Sequence, residues 1–134
     1  MTSYTMRVET ALPFDAAVER TREALAEQGF GVLTEIDVRA TMKAKLDVDV
    51  PAHVILGACR PQLAHRAMSA APSISALLPC NVVVRESGDG RTEVEVIDPA
   101  AMSQLEGQPA IADVAAEARI RLRAALDRIV LQEA

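Results

Sequence analysis

Cys59 and Cys80 have the settings most open to chemistry in this chain. Each lies at a predicted strand boundary with a proline close by, in Cys59-Arg60-Pro61 and Pro79-Cys80-Asn81. Thiols so placed could act as a redox pair, with Cys59 attacking and Cys80 resolving. They could also serve as soft metal ligands with His65 as a third, or Cys59 could use His65 as a general base. The plainer account is that free cysteine is a small, usually buried hydrophobe. No Cys-x-x-Cys or His-rich motif accompanies the pair and no fourth ligand is evident. The sequence therefore assigns no metal and no cofactor, and commits to no catalytic residue.

A second group is Glu35 and Asp37, two residues apart and thus on one face of a strand. Two carboxylates sharing a pocket tune each other for acid–base work. The alternative gives them separate duties: Asp37 as the N-cap of a helix starting near Arg39 or Ala40, and Glu35 as the partner of a lysine. Glu35, Asp37, Cys59, Cys80 and Asn81 form the candidate ligand-binding set. Gly29-Phe30-Gly31 follows a helix and precedes a strand, the reverse of the order that offers a helix N-terminus to phosphate.

The elements that must position these residues follow from periodicity. Thr5–Thr10 alternates as a strand. Pro13 opens a helix with Phe14, Ala17, Val18, Thr21 and Leu25 on its apolar side, and Gly29 is suited to close it. A strand over Val32–Val38 sets Val32, Thr34, Ile36 and Val38 against Leu33, Glu35 and Asp37. A short helix over Ala40–Leu46 precedes an almost wholly apolar strand, His53–Cys59, which should be covered on both faces or by a subunit contact.

Pro61 starts a helix carrying Leu63, Ala64, Ala67, Met68 and Ala71 inward, and Pro72–Pro79 is irregular. Val82–Glu86 and Thr92–Asp98 flank a Ser87–Gly90 hairpin loop. After a helical turn over Ala100–Leu105, a helix over Ala110–Leu131 presents Ile111, Val114, Ala115, Ala118, Leu122, Ala125, Leu126 and Ile129 as one stripe. The order β-α-β-α-β-α-β-β-α predicts an α+β fold: a single mostly antiparallel sheet with helices packed on one side. If the strands ending at Cys59 and starting at Cys80 are antiparallel neighbours, both thiols reach one sheet end. A parallel crossover would part them by roughly 20 Å.

Composition narrows the function. A chain of 134 residues that is half apolar and a quarter charged can bury one core and reads as one domain. The net charge of −5 and the scarcity of aromatics (Tyr4, Phe14, Phe30) argue against nucleic-acid partners. No apolar run approaches a membrane span. With no leader-like pattern near Thr2, the expected location is cytoplasmic, where both thiols stay reduced.

Three blocks carry a resemblance over nearly the whole chain. They are Gly29-Phe30-Gly31-Val32 with Glu35-Ile36-Asp37, Gly57-Ala58-Cys59 with Pro61, and Leu78-Pro79-Cys80-Asn81. Asp98-Pro99-Ala100-Ala101-Met102 fits as well. Together they resemble the domain-of-unknown-function 302 family, with Arg60 where that family usually has Asn and His53 where it usually has an aromatic residue. The resemblance implies a TATA-binding-protein-like sheet, commonly in a homodimer, and no settled activity. The sequence thus predicts a non-catalytic homodimer that binds a small apolar or amphipathic molecule, with a thiol-dependent redox or sulfur-handling protein as the alternative.

Overall fold

The computed structural model describes residues 3–131. The chain runs β1 (Thr5–Thr10), α1 (Phe14–Glu27), β2 (Gly31–Asp37), α2 (Val38–Leu46), β3 (His53–Cys59) and α3 (Pro61–Ala70). A 3-10 helix (Pro72–Leu77) follows, then β4 (Cys80–Glu86), β5 (Thr92–Ile97), α4 (Ala100–Leu105) and α5 (Pro109–Leu131). The five strands form one antiparallel sheet in the order β1-β5-β4-β3-β2, with helices packed to one side. The fold is the α+β arrangement that the sequence predicts.

The core lies between sheet and helices. Met6, Val96, Val82 and Leu56 occupy one register row across β1, β5, β4 and β3, and Val94, Val84 and Val54 another. All are buried, and so is the whole predicted stripe of α5 from Ile111 to Ile129. Consecutive strand residues point to opposite faces, so Ile55, Val83, Arg85 and Glu95 lie on the side without helices. The covering of β3 is therefore one-sided within the chain: Val54, Leu56 and Ala58 are buried, whereas Ile55 is only half-buried.

Gly29 closes α1 as its position suggests. With φ at +81°, it lets its own N–H donate to Ala26 O and the Phe30 N–H donate to Leu25 O, each at 3.0 Å. This is a Schellman motif, which satisfies carbonyls that the last helical turn would leave open and brings Phe30 back over Leu25. Both side chains belong to the core. The Gly-Phe-Gly block is thus a chain reversal that delivers a buried aromatic to the start of β2.

Several local expectations need correction, among them Met68, expected on the inward side of α3 but 38% exposed. Register shifts between Val32 and Thr34, so Val32 pairs with Ala58 but Thr34 with Gly57. A bulge at Leu33 accounts for this, because one extra residue flips the faces that follow. Val32 and Thr34 accordingly lie on opposite faces, and Val38 begins α2 instead of ending a strand. The hairpin loop spans 87–91, since Glu86 pairs with Thr92. There the Asp89 carboxylate accepts from the Arg91 N–H at 3.2 Å and Gly90 supplies the positive φ. The Pro72–Leu77 segment is a 3-10 helix, with Ile74 buried beneath it.

Candidate functional site

β3 and β4 are antiparallel neighbours, so Cys59 and Cys80 do reach the same end of the sheet. Direct register, however, pairs Cys80 with Ala58 and Cys59 with Gly31. Cys59 is one residue out of step and starts from the other side of the pleat. Both thiols are free; Cys80 is buried and Cys59 half-buried. Burial, and then the neighbouring Cys59, pushes the Cys80 thiol up to about 11, so it stays protonated at neutral pH.

A cavity opens beside this sheet end, between the strand termini and α3, α4 and α5. Phe30, Leu63, Ala67, Ile74, Met102 and Val114 supply most of its apolar wall, and Cys59, Arg60, Pro79 and Cys80 border it. The inner cavity has a volume of about 40 Å³ and widens through an open mouth to solvent. An aliphatic, narrow, partly open hollow suits a small apolar group better than a hydrated ion.

Arg60 is the polar feature of this region. It is the N-cap residue of α3, and its Nη1 donates to the Gln28 carbonyl at 3.2 Å. Its Nε is buried and has no hydrogen-bond partner. The guanidinium lies against Gly29, where a Cβ would collide with Nη1. The glycine that ends α1 therefore also makes room for Arg60. The sequence places Arg60 beside Cys59 and assigns it no role. Its signal, an arginine directly before the proline that starts α3, gains meaning only once the end of α1 is known to lie beneath it.

The other predicted residues lie elsewhere. Glu35 and Asp37 sit at the β2 edge, each with its own partner: Arg22 of α1 pairs with Glu35, and Asp37 accepts from the Ala40 N–H at 2.9 Å. Asp37 caps α2 as the alternative reading has it. The Glu35 partner is an arginine and not a lysine, because α1 passes over this edge while Lys43 turns to Asp47 and Asp49. Asn81 is exposed and borders a shallow groove with Tyr4, Val83 and Glu95 on the helix-free face. His65 is exposed on α3 and does not line the cavity. Among the described residues no three His, Cys, Asp or Glu side chains are grouped to hold a metal ion, and no helix is long and apolar enough to cross a membrane.

Gly57 shows why the second sequence block is small. A Cβ there would run into Thr34 Oγ1 and approach Pro79 Cγ to 2.9 Å, so the backbone of β3 is tightly covered just before Cys59. The helix-free face also carries an ionic cluster. Arg85 donates to Glu93 at 3.1 Å and to Glu95 at 2.6 Å, Thr5 donates to Glu95 at 2.6 Å, and Arg7 donates to Glu93 at 2.7 Å. The Thr5 hydroxyl above all, and then Arg85, hold the Glu95 carboxyl below its ordinary range. Partial burial, reinforced by Arg85, lowers the pKa of His53.

A one-sided antiparallel α+β sheet with an apolar hollow at one end defines the class of small α+β domain to which this chain belongs. Residues 4–129 match the family described as Domain of unknown function DUF302, and the chain belongs to it. A crystal structure of an uncharacterized conserved protein DUF302 from Bacillus stearothermophilus is similar throughout: TM-score 0.88 and 30% sequence identity, covering 96% of this chain and 99% of that one. No curated protein matches this chain.

Proposed function

We propose that this protein is a non-catalytic homodimer that binds a small apolar or amphipathic molecule in the hollow at the Cys59–Cys80 end of the sheet. The observation that carries the reading is the apolar wall formed by Phe30, Leu63, Ala67, Ile74, Met102 and Val114 around an opening to solvent. Self-association has separate support. The β2–α2 edge exposes Leu33, Ile36, Leu46 and Val48, and Ile36, Ile55 and Val83 form an apolar row on the helix-free face. Apolar groups gathered on one edge gain by leaving water against a second copy. The reading assigns the protein to the cytoplasm, where its thiols remain reduced.

Native mass spectrometry of the purified protein tests both parts. The expected result is a mass of twice 14.3 kDa together with a small co-purifying organic molecule released on denaturation. A bare monomer that is unchanged by tenfold concentration overturns the dimer. Failure of every small apolar probe to raise the melting temperature overturns the binding role.

The thiol alternative has one observation in its favour, the arrival of both cysteines at one cavity. The high Cys80 pKa opposes it, since thiolate is the reacting form. On alkylation with iodoacetamide at pH 8, Cys59 should be modified first and Cys80 only on unfolding. Fast modification of both thiols in the folded protein would favour the redox reading instead.

A further inference from the structure

We propose that Arg60 anchors an anionic head group, so that the hollow beside Cys80 takes a short-chain carboxylate with its tail inward. The inference rests on the binding role proposed above and names the ligand class for that site.

The first ground is the unmet hydrogen bonding of Arg60. The only hydrogen bond of its side chain among the described residues runs from Nη1 to Gln28 O, and Nε is buried without a partner. A buried N–H on a charged group is costly when left unpaired. The second ground is charge. Arg7, Arg20, Arg22, Arg66, Arg85, Arg91, Arg119, Arg121, Arg123 and Arg128 all have a carboxylate within ion-pair reach. Arg39 has none and is exposed. Arg60 is thus the one partly buried arginine among the described residues with no acidic partner.

Geometry fixes the head group. With Nη1 held by Gln28, Nη2 and the buried Nε are left without partners among the described residues, so a planar carboxylate that pairs with the Nε–Nη2 edge through two parallel hydrogen bonds must displace what covers Nε. Gly29 adds no side chain that could compete for it. The tail follows from the wall. Leu63, Ile74, Met102 and Val114 offer apolar contact only, and the inner cavity has a volume of about 40 Å³. That is room for a few water-sized groups, hence a tail of about three to five carbons and not a long lipid chain.

The probes are pentanoate and its neutral isostere pentanamide at pH 7, titrated against the full chain while the Arg60 Nε–H resonance is followed by NMR. Wild type should bind pentanoate about tenfold or more tightly than pentanamide, with a large Nε–H shift for the carboxylate alone. Arg60→Gln should abolish the preference for pentanoate over pentanamide, and Arg60→Lys should recover part of it. Equal affinity of wild type for the two probes, or an undiminished preference in Arg60→Gln, would overturn the anchor while leaving the binding role intact. Binding of neither probe would overturn the short-chain carboxylate assignment, while the binding role stands or falls with the wider set of apolar probes. Should Arg60→Gln fail to fold, the wild-type comparison and the Nε–H shift decide the matter alone.

Discussion

At the β1 edge of the sheet, Met6 is buried and β1 packs against α5, while on the other face Thr5 and Arg7 join the carboxylates of Glu93 and Glu95. At the β2 edge, α2 has no buried residue, although Val38, Met42 and Leu46 recur at helical spacing. Leu33 and Leu46 are 66% and 65% exposed. Both edges carry apolar residues at the right period, but only one has something to set them against. Periodicity specifies which face of an element is apolar and leaves open what covers it. The comparison therefore separates an edge whose apolar residues are covered within one chain from an edge whose apolar residues face solvent.

The largest contrast should come from leucine truncation. Leu126→Ala on α5, which is 2% exposed, should lower unfolding free energy by about 2–4 kcal/mol. A loss below about 0.5 kcal/mol in urea melts would place that position at the surface.

A smaller effect belongs to the ionic cluster at the satisfied edge. The pKa of Glu95 is lowered on folding, so its contribution is present above the ordinary glutamate value of 4.5 and is lost as pH falls through the folded value. Glu95→Gln should cost about 1 kcal/mol at pH 7. Stability–pH curves of variant and wild type should converge below pH 4.5, the unfolded reference value. A gap that persists at lower pH would mean that packing, and not charge, sets the contribution.

The least effect on folding should be that of Leu46→Ala at the open edge, within about 0.5 kcal/mol for the isolated monomer, the usual range of surface positions. Its informative readout is the concentration dependence of mass by light scattering, where the dimer should weaken. A change in monomer stability as large as that of Leu126→Ala would erase the distinction between the edges.

What was legible in the sequence follows the same division. The α5 stripe, the β1 and β3 boundaries and the Gly29 terminus could be read because each depends on a repeating period or on one residue's backbone freedom. Antiparallel neighbours made the convergence of Cys59 and Cys80 readable as one of two alternatives. The faces of β2 were not, because a bulge at Leu33 breaks the alternation and carries no distinctive residue. Nor was the partner of Glu35, which α1 supplies from 13 residues earlier, across the chain reversal at Gly29. Arg60 escaped for a related reason: its lack of an acid is a property of what surrounds it, and three segments must converge before that becomes visible.

The strand order has a kinetic consequence. β2, β3, β4 and β5 are laid down in sequence and pair each with the next, whereas β1 pairs only with β5, from Thr5 against Ile97 to Thr10 against Thr92. Closing so long a loop costs chain entropy before its contacts give anything back. A ribosome would release β1 before the other strands and β5 after them, with the covering α5 later still, leaving Met6 and Val8 exposed through most of synthesis. The flanking Arg7 and Glu9 would then guard a waiting strand against mispairing with other chains, a service rendered before the native sheet exists.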